Sequence, residues 1–157
     1  PISFRSYQFK GVRFPGALPP EVAVSFDVVK ADRAGLEVRV TGLERTFVDV
    51  LHRPGLTGSW EEIWRSLESV EFFDLDKVTA YVQHLGNATT AAKVGFFLEQ
   101  HREGLMVDEA HLSALRDLRP QHPHYLERSR RKAGHFVAAW NLVVPQEIYE
   151  RSWEEPS

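Results

Sequence analysis

Cysteine is absent from the 157-residue chain, and Met106 is its only methionine. Without cysteine there is no disulfide framework and no thiolate metal site. That fits a reducing compartment, and a cytoplasmic location is expected. No apolar run approaches the roughly 20 residues that a membrane-spanning helix needs, and no signal peptide is evident. A membrane partner is therefore not expected. The glycine motifs GxGxxG and GxxxxGK[ST], which cradle phosphates, do not occur. Neither does a GxSxG elbow or an HExxH helix. Positive charge is also in short supply: 19 Lys and Arg stand against 22 Asp and Glu, a formal net charge of −3. Dedicated nucleic-acid binders are usually basic. Contact with nucleic acid must then come from a local patch or from a part of the protein outside this chain. The first residue is proline and the one methionine is internal, so the chain reads as a piece of a longer protein.

What is present describes a globular domain. Hydrophobic residues make up 43% and charged residues 26%, which is ordinary, and the length suffices for one domain with its own core. No repeat, low-complexity tract or linker interrupts it, so residues 1–157 are read as a single domain. Residues 2–40 have the pattern of strands. Ile2 and Phe4 alternate with polar neighbours, and Tyr7 and Phe9 continue out of phase, as across a bulge at Arg5 and Ser6. A loop is expected over 16–20, where two prolines exclude a central strand. Val22, Val24, Phe26 and Val28 alternate strictly, as do Leu36, Val38 and Val40. With the polar connection 30–35 between them they predict a β-hairpin with one face covered by helices.

From Thr41 the period changes to that of a helix. Thr41 and Glu44 have the spacing of a capping box, and Leu43, Phe47, Val50 and Leu51 share a face with Val48 at its margin. Arg45 and Asp49 sit opposite, one turn apart. Arg before Asp is the poorer order against the helix dipole, so the pair is expected to serve tertiary contacts. Pro54 and Gly55 end that helix. Ser59 and Glu62 repeat the box spacing ahead of Trp60, Ile63, Trp64 and Leu67. Both tryptophans are read as core anchors. Asp74 is expected to cap a helix holding Leu75, Val78, Tyr81, Val82 and Leu85, with Gly86 ending it and Asn87 starting the next. That next helix, 88–102, is apolar nearly all round, the mark of a buried helix. Gly95 within it predicts a close neighbour. Gly104 is read as its C-cap and Asp108 as the cap of a last short helix. Phe136, Ala138, Trp140, Leu142 and Val144 then alternate as a late strand, followed by a helical turn over 146–153. Strands, about five helices and a returning strand make an α+β fold.

Three groups of residues carry candidate chemistry. His122, His124 and His135 match no standard zinc spacing, and a solvated loop is the preferred reading; no metal and no cofactor are expected. Asp27 on one strand and Glu37 on its partner could hold Mg²⁺ in the manner of a restriction-type nuclease. Exposed strand charges are the simpler account, and no catalytic residue is assigned. Arg128, Arg130, Arg131 and Lys132 form a basic cluster able to attract phosphates. They are the candidate residues for contact with DNA or a protein partner.

Four stretches in order also resemble one family. These are the helix with Arg45, Thr46 and Asp49, the pair Gly86 and Asn87, residues 93–99 (KVGFFLE), and residues 139–145 (AWNLVVP). Together they resemble the C-terminal domain of AbiEi-type proteins, the antitoxins and transcriptional regulators of bacterial type IV toxin–antitoxin, abortive-infection systems. The resemblance implies a non-enzymatic domain that opposes a nucleotidyltransferase-like toxin and contributes to repression of its own operon. Operator DNA would be read mainly by an N-terminal winged helix-turn-helix with no counterpart in these residues. It further implies a structural role for Arg45, Thr46 and Asp49, and a homodimer is compatible with it. The alternative is a restriction-endonuclease-like, Mg-dependent nuclease.

Overall fold

The structure is a computed structural model that describes residues 2–4, 7–9, 18–128 and 134–152. In chain order its elements are β1 (Ile2–Phe4), β2 (Tyr7–Phe9), α1 (Pro20–Ser25), β3 (Val28–Arg33), β4 (Leu36–Thr41), α2 (Leu43–His52), α3 (Trp60–Glu68), α4 (Leu75–Leu85), α5 (Ala88–Gln100), α6 (Glu109–Asp117), β5 (His124–Tyr125), β6 (His135–Val137), β7 (Leu142–Val144) and α7 (Gln146–Glu150). This is the α+β arrangement expected from the sequence: antiparallel strand pairs, a helical block and returning strands.

The N-terminal third departs most from its sequence pattern. β1 and β2 do not continue one another across a bulge. They pair antiparallel, with Ile2 opposite Phe9 and Phe4 opposite Tyr7. The expected strand over residues 22–26 is instead the helix α1. Pro20 at its first position needs no N–H partner and already has a helical φ, and Glu21 favours the first turn. The valine alternation that suggested a strand is overridden by tertiary hydrogen bonds to the end of this helix. The β3–β4 hairpin forms in the expected place, but its ladder includes Lys30 to Arg33. Only Ala34 and Gly35 lie outside it, both at positive φ, the geometry of a tight two-residue hairpin turn. Helices cover it less than expected: Leu36, Val38 and Val40 are half-buried and Val29 is exposed.

α2 starts at Gly42, not in a capping box. The Thr41 hydroxyl lies 2.7 Å from that of Thr46, and the Glu44 carboxylate accepts the Asp74 amide at 3.0 Å. The buried side of α2 is Glu44, Arg45, Phe47, Val48 and Leu51, while Leu43 is exposed. The helix is thus rotated from its apolar face, because two charged residues turn inward to meet groups on other elements. The later helices keep closer to their patterns. Ser59 and Glu62 form the full capping box of α3, and Asp74 and Asn87 cap α4 and α5 through their side chains. Gly86 ends α4 at φ 60°. Ile63, Trp64 and Leu67 are buried with Trp60 at the margin, and all five expected α4 residues are in the core.

α5 is buried over every residue from Thr90 to Leu98. It ends at Gln100, before Gly104, which sits in a following turn. Asp108 precedes α6 without a side-chain cap. The late strand is broken in two: a 3₁₀ turn over Ala138–Trp140 and Asn141 at φ 48° separate β6 from β7. In the resulting sheet β7 is central, parallel to β5 and antiparallel to β6. The break lets Trp140 leave the sheet and lie on α5. Its indole N–H donates to Glu99 at 2.7 Å, and a Cβ on Gly95 would come within 2.1 Å of the ring. α7 is shorter than expected, and Trp153 and the tail lie outside the described residues.

Gly95→Ala tests this contact. A mid-helix glycine replaced by alanine ordinarily gains about 1 kcal/mol of helix propensity. Here the added methyl meets a rigid ring, and overpacking should cost about 1–3 kcal/mol or more. The urea midpoint is expected to fall; a raised midpoint would show that Trp140 does not sit on Gly95.

Candidate functional site

Two polar assemblies stand out from the core. The first joins α1, the hairpin, α2 and α4. Arg45 is 5% exposed. One of its terminal nitrogens donates to the carbonyls of Ala23 at 3.0 Å and Phe26 at 2.9 Å, with Val22 at 3.5 Å. It therefore closes the C-terminal end of α1, where carbonyls lack helical partners. Its Nε lies 3.5 Å from Asp49, which accepts the Tyr81 hydroxyl at 2.8 Å. Burial is the main cause that holds the Asp49 carboxyl above the usual aspartate range, against the Tyr81 and Arg45 contacts. Thr46 is exposed and pairs with Thr41.

Asp27 belongs to the same assembly. It is a turn residue at φ 47°, not a strand residue. Its carboxylate accepts the Arg45 amide at 2.9 Å, its carbonyl accepts the Gly42 amide at 2.7 Å, and Lys77 lies 3.6 Å away. Gly42 leaves room for it, since a Cβ there would fall 2.1 Å from Asp27. Glu37 stands at the far end of the hairpin, opposite Asp32 and paired with Lys30 at 2.8 Å. At about 3.4 Å per residue, the five positions from Asp27 to Asp32 span on the order of 17 Å. The two acids therefore do not share one Mg²⁺. The histidines are separated as well. His122 is exposed, His124 on β5 lies 2.5 Å from Thr89, and His135 on β6 stacks on Tyr149. No group of three or more acids and histidines among the described residues could hold a metal ion.

The second assembly is a cleft of about 440 Å³ between the start of α5 and the segment after β5. Lys93 rises into it from the buried helix, 7% exposed. Its ammonium donates to the Leu51 carbonyl at 3.3 Å and lies 5.1 Å from the centre of the Trp60 ring. Among the described residues, no carboxylate pairs with it. Beside it the Thr90 hydroxyl donates to the Asn87 side chain at 3.0 Å. That hydroxyl has one proton, so at 2.7 Å it accepts from His52 Nδ1. Neutral His52 therefore carries its proton on Nδ1. Burial, Lys93 and Arg53 hold this imidazole below its usual range, against the pull of Asp49. A wider depression of about 630 Å³ shares Pro54, Trp60 and Glu127 with the cleft, but its charged residues are Glu61, Glu127 and Glu147. The Lys93 cleft has the more specific chemistry, because it holds a buried charge.

Of the basic cluster, Arg128 is exposed and lines this cleft; Arg130, Arg131 and Lys132 lie outside the described residues. Pattern reading passed over Lys93 and His52. The available signal was a lysine in a helix apolar all round, where its charge has no solvated face to occupy. No protein-family model, curated protein or solved structure matches the chain.

Exchanging Arg45 and Asp49 puts the charges in the order an isolated helix prefers, worth about 0.2–0.5 kcal/mol. It also strips the α1 carbonyls of their donor and breaks a buried pair, at about 3–5 kcal/mol. Denaturant unfolding should show a clear net loss, and a gain in stability would refute the tertiary role. For Lys93, burial first and Arg128 second push the ammonium down to about 8 from 10.5. With the folded value below the unfolded one, its contribution is complete above pH 10.5 and lost as the pH falls to about 8. At neutral pH the penalty is about 3 kcal/mol. Lys93→Met should therefore be more stable than wild type at pH 7, with the gap narrowing toward pH 10.5. Equal pH profiles for the two proteins would contradict this.

Proposed function

We propose that this chain is the C-terminal antitoxin or effector domain of a bacterial transcriptional regulator of a type IV toxin–antitoxin system. It would oppose a nucleotidyltransferase-like toxin and contribute to operon repression, within the cytoplasm. In such a regulator a winged helix-turn-helix reads operator DNA, and this domain supplies the surface that counters the toxin. The reading rests on the four resembling stretches in order, which the structure brings together in one core. Trp140, from the last stretch, sits on Gly95 and bonds to Glu99, both from the third. Gly86 and Asn87 end one helix and begin the next, fixing the direction of α5. Arg45 and Asp49 tie α2 to α1 and α4.

The nuclease alternative gains no support from the separated Asp27 and Glu37. Coexpression decides the question. The chain, placed beside the nucleotidyltransferase-like gene of the same operon, should restore growth to cells arrested by that gene. Gly95→Ala should weaken rescue in proportion to its loss of folded protein. Failure of the soluble, folded chain to rescue would reject the antitoxin role. Mg²⁺-dependent cleavage of DNA, lost in Asp27→Ala, would establish the nuclease in its place.

A further inference from the structure

We infer that the cleft between the start of α5 and the segment after β5 binds a phosphorylated small molecule, whose phosphate is held by Lys93. This goes beyond the antitoxin reading and stands whichever partner the domain opposes.

The first ground is the state of Lys93. The residue is 7% exposed, yet among the described residues the contacts of its ammonium are a carbonyl at 3.3 Å and the face of an indole. Both are neutral. A buried cation normally has a carboxylate beside it, because removing the charge from water is costly. Methionine would fill similar space without that penalty. A buried charge that no carboxylate among the described residues offsets points to a ligand that completes it.

The second ground is the remainder of the cleft. Arg128 lines it from the exposed side and lies close enough to repel Lys93. Two neighbouring cations suit a phosphate monoester, with its charge of about −1.5 to −2 at neutral pH, better than a single carboxylate. Among the described residues, Glu127 is the one acid lining the cleft. The start of α5 adds little, since Asn87 already accepts the Thr90 amide at 2.9 Å. The cleft volume of about 440 Å³ falls within the roughly 300–1,000 Å³ of small-molecule sites and exceeds what a bare phosphate would fill. Trp60 and Tyr125 supply aromatic walls for the rest of the molecule.

Calorimetric titration of the chain with AMP, inorganic phosphate and adenosine tests the inference, on wild type, Lys93→Met and Arg128→Gln. AMP should bind wild type, and adenosine should not. Lys93→Met should weaken AMP at least tenfold while its unliganded melting temperature rises, a combination that a purely structural lysine would not give. Arg128→Gln, at an exposed position, should weaken AMP several-fold and keeps the test open if Lys93→Met misfolds. Inorganic phosphate weaker than AMP supports a ligand with an aromatic or apolar remainder; phosphate as tight as AMP supports free phosphate as the occupant. The inference is overturned if neither phosphate-bearing probe binds wild type at about 10 mM. It is equally overturned if adenosine matches AMP, or if both variants bind AMP like wild type.

Discussion

The guanidinium of Arg45 governs how the first third of the chain meets the rest. α1 is only six residues long and begins behind a proline with no side-chain cap. Such a segment has little helical stability of its own. What stabilises it is a donor arriving from α2, about twenty residues later, that satisfies the carbonyls at its end. The same side chain faces Asp49 and lies over the Tyr81 ring, and Tyr81 stacks on Phe26. One cation thus joins α1, α2 and α4, and Asp27 holds the backbone of α2 against the hairpin. The rotation of α2 follows: burying Arg45 and Glu44 brings Val48 into the core and leaves Leu43 outside.

That dependence explains which parts of the fold were readable in the sequence. Ser59, Asp74, Gly86 and Asn87 were legible because capping is local: the residue and the amide or carbonyl it satisfies lie within one turn. The burial of α5 was legible because its apolar residues leave no polar face. The identity of α1 was not. Its valines have the period of a strand, and the partner that decides otherwise is remote in sequence. The Thr41–Glu44 spacing failed for a related reason. Glu44 has a better use in accepting the Asp74 amide and meeting Lys77, so it does not turn back to cap its own helix. The late strand was half right: the alternation persists, but Trp140 is drawn out of the sheet onto Gly95.

The cleft shows the same limit from the opposite direction. Asp27, Glu37 and the histidines suggested chemistry through residue type, and the fold places them apart or uses them for packing. Lys93 and His52 come together only because α2 and α5 pack side by side, and Leu51 at the end of α2 offers Lys93 its carbonyl. Arg128 was picked out for its charge, and it reaches the same cleft through the parallel pairing of β5 with β7. The penalty of the lysine is borne by the most deeply buried helix in the molecule, whose apolar packing can tolerate it.

The seating of Trp140 on α5 also sets the order in which the domain can be completed during synthesis. Glu68 accepts from Arg151 at 2.8 Å, and Gln100 donates to the carbonyl of Ile148 at 3.1 Å. Trp140, Ile148 and Arg151 are thus all late residues that close surfaces made much earlier. A nascent chain that has emerged only as far as α6 holds an α5 whose glycine groove faces water. The helical block therefore waits on the ribosome for its lid, and any arrest of translation before Trp140 releases a polypeptide in which the face of α5 along Gly95 is left open.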